Sequence, residues 1–274
     1  LRLIDVRHLG RERVIGCWQV DDVLVDPGPE SALAALLDEL NDWEPRALLL
    51  THIHLDHAGA TGALVRRWPQ VEVYVHEIGA PHLVDPTKLL SSAERLYGDR
   101  MQELWGEVAP VPEANLHSLN GGEEILGFRV AYTPGHASHH ISYLHDTGRA
   151  FVGDVAGVRI PPCDLVLPPT PPPDIDIQAW VRSLNAVEEW QPKSLGITHF
   201  DSIDEPQQHL ETFRAELGAA AGLARELSAD EFERMLRDRM STCDEETEAA
   251  YLQAMPPDQH WHGLDRYWRK REEP

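Results

Sequence analysis

Thr51-His52-Ile53-His54-Leu55-Asp56-His57-Ala58-Gly59 brings four side chains of metal-ligand type, His52, His54, Asp56 and His57, into one short stretch. Before it runs Ala47-Leu48-Leu49-Leu50, an apolar run that reads as a buried strand. After it, residues 60–68 read as a helix stopped by Pro69. The cluster therefore falls at the carboxyl end of a strand, in the loop feeding a helix, where open α/β architectures place their sites. In extended chain, residues two apart point the same way, so His52 and His54 can converge on one metal. Asp56 and His57 come as the chain turns into the helix and can face a second. Imidazole with carboxylate suits zinc, and also iron or manganese.

A catalytic zinc takes about three protein ligands plus water, so two metals need more donors than one loop offers. Three later stretches carry them: Thr133-Pro134-Gly135-His136, Phe151-Val152-Gly153-Asp154 and Ile197-Thr198-His199-Phe200. Each donor again ends a strand-like run, so all can gather on one edge of the fold.

This set resembles the metallo-β-lactamase superfamily, marked by His-x-His-x-Asp-His followed by His, Asp and His in that order. The likeness covers most of residues 1–203. It implies that His52, His54 and His136 hold one metal, that Asp56, His57 and His199 hold the other, and that Asp154 bridges them. The wording of the first loop is similar to the glyoxalase II and lactonase side of the superfamily. A smaller uncharacterised archaeal and bacterial group, which shares the helical insert after Asp85-Pro86 and the Leu-Pro-Pro-Thr-Pro-Pro-Pro stretch, resembles the chain more closely. The resemblance also implies a positioning role for Asp26, for which a plain turn aspartate is the alternative, and for His140, four residues after His136. The neighbouring His139 reads as exposed, and His76 as structural.

The chain has 274 residues, 42% hydrophobic and 26% charged, the composition of an ordinary globular protein. Its formal charge of −22 and the lack of a basic stripe argue against nucleic acid as a partner. No run reaches the length of a membrane span. No amino-terminal signal segment is evident, which weighs little in a chain that begins at Leu1. Cys17, Cys163 and Cys243 are far apart and read as unpaired thiols, the pattern of a reducing cytoplasm.

Strand runs cluster in residues 1–76 and 115–199, each group followed by helix. The expected fold is α/β (α+β): two sheets face to face with helices outside, a four-layer αββα sandwich over residues 1–203, and a helical carboxyl-terminal appendage over 204–274. Residues 31–40 read as a helix capped by Ser31. Residues 83–106 form a helical insert, either a lid over the metal edge or a helix packed elsewhere. The proline-rich stretch 161–173 is either a stiff pocket wall or a linker. Tyr97, Trp105 and Phe200 are the candidate substrate contacts. The expected chemistry is hydrolysis of a small thioester, ester or lactone at two divalent metals, zinc first with iron or manganese as alternatives, with Asp56 and Asp154 as the catalytic carboxylates. The competing readings are a mononuclear iron dioxygenase of the persulfide dioxygenase type, a phosphodiesterase and a non-enzymatic binding module. The expected partner is a small molecule, with neither nucleic acid nor membrane, and a homodimer is the candidate assembly.

Overall fold

Short runs build both sheets, buried along their whole length in central strands such as Ala47–Leu49 and Ile141–His145. The computed structural model describes residues 1–272. The first sheet takes its strands in chain order: β1 (Arg2–Asp5), β2 (Gly16–Val20), β3 (Val23–Val25), β4 (Ala47–Leu49), β5 (Glu72–His76) and β6 (Leu116–Leu119). β1 to β3 are antiparallel; β3 to β6 are parallel. Parallel neighbours need crossovers, supplied by α1 (Leu33–Leu40), α2 (Leu55–Ala58), α3 (Thr61–Arg67), α4 (Ala80–Val84), α5 (Thr87–Tyr97) and α6 (Met101–Trp105). The second sheet runs β12-β11-β10-β9-β8-β7, from β7 (Glu124–Ile125), β8 (Phe128–Tyr132), β9 (Ile141–His145), β10 (Arg149–Phe151), β11 (Ser194–Ile197) and β12 (Asp201–Ile203).

Alternation decides which way each side chain faces. Trp18, Ala47 and Leu49 of the first sheet pack with Phe128, Val130, Ile141, Tyr143 and Phe151 of the second, forming the layer between the sheets. Cys17, Leu48, Val73 and Val75 point the other way, into the core shared with Leu36 of α1 and Leu64 of α3. Two buried polar tips are satisfied across the sandwich: Trp18 Nε1–H donates to the Ile197 carbonyl at 3.2 Å, and the Tyr143 hydroxyl to that of Leu50 at 2.9 Å. Outside the second sheet lies α7 (Ile177–Glu189), capped by Asp176 and burying Trp180, Leu184 and Val187. The result is the expected αββα sandwich.

Four details differ from the sequence reading. β6 lies within the chain segment grouped with the second sheet, yet pairs parallel with β5 and extends the first. Ser31 does not cap α1; a 3-10 turn precedes that helix, and the Ser31 hydroxyl donates to the Leu104 carbonyl at 2.6 Å, tying down α6. The insert is not one helix but α5 and α6 separated by a 3-10 turn. Finally, Cys163 and Cys243 form a disulfide across 80 residues of sequence, leaving Cys17 as the free thiol. Spacing along the chain does not reveal proximity between two loops, and the argument from unpaired thiols to a reducing compartment falls with it.

The helices α8 (Pro206–Leu223), α9 (Ala229–Met240), α10 (Glu245–Ala254) and α11 (His260–Glu272) follow the second sheet. Phe213, Leu217, Phe232, Leu236 and Met240 are buried in the same core cluster as the sheets. No described helix is long and apolar enough to cross a membrane.

Candidate metal centre

Each donor is delivered by the end of a strand. β4 leads into His52 and His54, and α2 carries Asp56 and His57. β8 ends just before the turn holding His136, β10 just before Asp154, and β11 just before His199. Backbone hydrogen bonds sew these ends together: Ile141 N–H to the Thr51 carbonyl at 2.8 Å, and Gly16 N–H to that of Thr198 at 2.9 Å. The turn before His136 also fits only glycine, because Gly135 has φ 143° and a Cβ there would lie 2.4 Å from Trp180.

Asp26, only 1% exposed, is the knot behind the centre. Its Oδ1 accepts from Thr51 N–H at 2.8 Å. Its Oδ2 accepts from the Thr51 hydroxyl at 2.7 Å, from the Thr198 hydroxyl at 3.1 Å and from His57 Nδ1–H at 2.8 Å. Because the Thr51 hydroxyl spends its hydrogen on Asp26, it accepts from His52 Nδ1–H, 3.1 Å away. His136 Nδ1–H donates to the Pro169 carbonyl at 2.9 Å, and His199 Nδ1–H to that of Val14 at 2.7 Å. Four imidazoles are thereby held with an Nε2 lone pair turned to the centre, as metal ligation requires.

The facing atoms form three adjoining groups: His52, His54 and His136; His52, His57 and Asp154; and Asp56, His57 and His199. His54 Nδ1 lies 3.0 Å from His52 Nε2 and 2.9 Å from His136 Nε2. Asp154 spans the two sides: Oδ2 is 3.3 Å from His136 Nε2, while Oδ1 is 3.3 Å from His57 Nε2 and 3.7 Å from His199 Nε2. Asp56 Oδ2 is 3.3 Å from His199 Nε2. Tetrahedral ligation at about 2.0–2.1 Å sets donor atoms roughly 3.4 Å apart, so these spacings are ones that the edges of ligand cages would have. Buried His57 Nε2 and Asp154 Oδ1 have no hydrogen-bond partner, and a cation would satisfy both. The residues fit two divalent metals.

The electrostatics agree. Burial opposes charge on His57, but Asp154, Asp56 and Asp26 outweigh it and raise its pKa well above the ordinary value. His199 is also raised against burial, by Asp154 and Asp56. Burial, with neighbouring His136, pushes His54 down to about 4. Asp154 stays ionised despite burial because His57, His136 and His199 surround it. The centre thus calls for positive charge on the side of Asp56, His57 and His199.

Two clefts reach these residues. One, of about 260 Å³, opens on His54, Asp56, His136 and Asp154 between α5 and the proline-rich stretch. The other, of about 700 Å³, reaches Asp56 and His199 past Arg11, Arg100 and Arg237. Tyr97 lines both, as do Asp56, Leu96, Ala254, Pro256 and Gln259, and its ring meets Trp105 edge-on at 5.0 Å. Burial and the charge of Asp56 raise the Tyr97 phenol, which stays protonated. Trp105 is buried, stacks on His8 and reaches only the second cleft.

Of the other sequence candidates, His140 lies behind the centre, its ring stacked on His52 at 5.0 Å and its Nδ1 bonded to the Thr133 hydroxyl at 2.9 Å. His76 stacks on Tyr132 and takes no part in the donor groups. Phe200 is corrected: its ring is buried in the core cluster and lines neither cleft, because the chain turns away after His199. His139 is corrected too: it is buried in the wall of the first cleft. His260, from the far end of the chain, lines the same cleft. Nothing in its local sequence links it to the ligand motif, so only the folded chain reveals it.

The metallo-beta-lactamase superfamily profile matches residues 21–195. The chain belongs to that superfamily. It is 33% identical over 192 residues to the metallo-beta-lactamase fold-containing protein ST1585 of Sulfurisphaera tokodaii, covering 67% of this chain and 70% of that protein. The crystal structure of ST1585, an archaeal member, superposes with a TM-score of 0.71 at 24% identity over 96% of this chain and 97% of that one. Hydroxyacylglutathione hydrolase of Cronobacter sakazakii is 33% identical over 136 residues, 46% of this chain, and the match spans only 41% of that enzyme's length. TTHA1623, solved in a di-iron-bound form, superposes with a TM-score of 0.53 at 25% identity, over 69% of this chain and 89% of that one.

Proposed function

We propose that the protein is a dinuclear metal-dependent hydrolase of a small carbonyl substrate: a thioester, ester or lactone. The observation that carries this reading is Asp154, whose two carboxylate oxygens face the two ligand groups separately. His52, His54 and His136 would hold one cation, Asp56, His57 and His199 the other, with Asp154 between them. Two divalent cations held there supply a water of lowered pKa and an electrophile for the carbonyl. Asp56, whose Oδ2 faces His199 and which lines both clefts, would hold the second cation and could take a proton through its other oxygen. Tyr97 stays protonated and donates to substrate. The partial likeness to a hydroxyacylglutathione hydrolase supports a thioester, and the two clefts suit a substrate with an acyl part and a leaving part. Zinc is the proposed metal; the di-iron form of TTHA1623 makes iron the alternative to assay alongside it.

A panel of thioesters, esters, lactones, phosphodiesters and β-lactams, assayed on zinc- and iron-loaded protein with oxygen uptake recorded, tests this reading. Turnover confined to the thioesters, esters or lactones, without oxygen uptake, is expected. Turnover of phosphodiesters alone, or persulfide-dependent oxygen uptake, would replace it.

A further inference from the structure

The loop between β1 and β2, residues 7–13, holds its backbone in conformations that non-glycine residues rarely adopt. Arg7, Leu9 and Arg13 have φ values of 47°, 53° and 62°. Asp5 clamps both ends: its Oδ1 accepts from Arg7 N–H at 2.9 Å and its Oδ2 from Arg13 N–H at 2.7 Å. Strain of this kind persists only where the surrounding structure enforces it, and it collects at segments that place a functional group. The group placed here is Arg11, on the wall of the cleft of about 700 Å³ that reaches Asp56 and His199.

A chain of hydrogen bonds orients Arg11. His8 Nε2–H donates to the Leu104 carbonyl at 2.8 Å, and the ring stacks on Trp105. Burial lowers the His8 pKa, so the ring is neutral and its Nδ1 carries a lone pair. The Gln253 side-chain amide donates to that Nδ1 at 3.2 Å and to the His8 carbonyl at 2.7 Å. A carbonyl can only accept, so this amide cannot be reversed. Gln253 Oε1 is therefore the atom turned to Arg11, and it accepts from Arg11 Nε–H at 2.9 Å. The guanidinium spends Nε on this anchor and keeps Nη1 and Nη2. Neither has a hydrogen-bond or ion-pair partner among the described residues, and neither is sealed from solvent.

The other two arginines of the cleft are engaged, Arg100 by Glu103 at 3.2 Å and Arg237 by Glu233 at 2.8 Å. Of the acids on the same wall, Asp56 belongs to the ligand set, Glu233 is spent on Arg237, and Asp258 is exposed. Arg11 thus presents an uncompensated cation in a chain of formal charge −22. Two N–H groups in one rigid plane match the two oxygens of a carboxylate.

We propose that Arg11 forms a carboxylate subsite in this cleft, its Nη1 and Nη2 donating to a carboxylate on the part of the substrate remote from the reacting carbonyl. The substrate is then an anionic thioester, ester or lactone. The inference rests on the hydrolase reading for the reaction, but not for the anion.

Matched substrates test it. Each pair shares the scissile bond that the wild type turns over and ends its remote part in a carboxylate or in the neutral primary amide. The wild type is expected to favour the carboxylate member roughly 10- to 100-fold in kcat/KM, mostly through KM. In Arg11→Gln that ratio is expected to fall toward one with metal content and Tm retained, and Arg11→Lys, which keeps the charge but not the fork, to restore part of it. A ratio near one in the wild type, or an unchanged ratio in Arg11→Gln, would overturn the proposal. Nitrogen-15 NMR of zinc-loaded protein gives a readout independent of turnover. The Arg11 Nε–H resonance, identified by its loss in Arg11→Gln, is expected to move when glutarate is titrated in and to stay in place with glutaramide. Indifference to glutarate, or an equal response to glutaramide, would overturn the subsite even if the hydrolase reading stands. Absence of turnover across the panel would instead count against the hydrolase reading, leaving the NMR titration to decide Arg11.

Discussion

At the scale of single residues, the centre depends on which nitrogen of each histidine carries hydrogen, and Asp26 is the main arbiter. It accepts from His57 directly and orients His52 through Thr51. Asp26→Asn keeps the shape but puts a donor where acceptors are needed. Metal affinity is expected to fall about 10- to 100-fold, read by competition with a chromophoric chelator, with the fold retained by circular dichroism. Asp154→Asn weakens the charged contact between the two ligand groups and is expected to cut turnover by roughly 100-fold or more. Near-normal turnover in that variant would remove Asp154 from between the metals. The raised His57 and His199 also set a pH dependence. In the metal-free fold they contribute stability below their ordinary value of 6.5, and that stability is lost as pH rises through the raised values. Both must lose that proton to ligate, so metal uptake near neutrality releases protons and apparent affinity falls on acidification. Calorimetry in buffers of different ionisation enthalpy measures the release, and uptake without protons would contradict these shifts.

At the scale of elements, α5 and the proline-rich stretch both line one cleft, and Tyr97 at the end of α5 lines that cleft and the other. Tyr97→Ala removes a wall residue common to both clefts and its aromatic contact with Trp105. KM is expected to rise roughly 3- to 10-fold with metal content unchanged; an unaltered profile across the panel would show that Tyr97 does not touch substrate. The disulfide joins the proline-rich stretch to the α9–α10 turn. Closing a loop of 80 residues restricts the unfolded chain by about 4 kcal/mol in the chain-entropy model. The denatured, unreduced protein should titrate for Cys17 alone, and reduction should lower Tm; three titratable thiols before reduction would contradict the pairing. These elements also show what sequence can convey. The ligand strand ends were legible because a short apolar run followed by clustered polar donors is a local pattern. The β6 register, the disulfide and the buried state of His139 are contacts between distant segments, and no local pattern encodes them.

At the scale of the whole molecule, the two sheets bring donors from residues 52–57, 136, 154 and 199 to one edge, and the carboxyl-terminal helices close over that edge. The seven donor residues could be named from their order along the chain because each follows a strand. His260 could not be placed in the cleft wall in this way, since only the packing of α11 against the Pro169–Thr170 peptide brings it there. Phe200 shows the converse: adjacency to His199 suggested the cleft, but the backbone turns it into the core. The central claim is that these donors hold two cations with Asp154 between them. Elemental analysis of protein purified without chelator tests it most directly. The account predicts two equivalents of divalent metal per chain, falling toward one in His199→Ala; a reproducible single equivalent in the wild type, unchanged by His199→Ala, would contradict it.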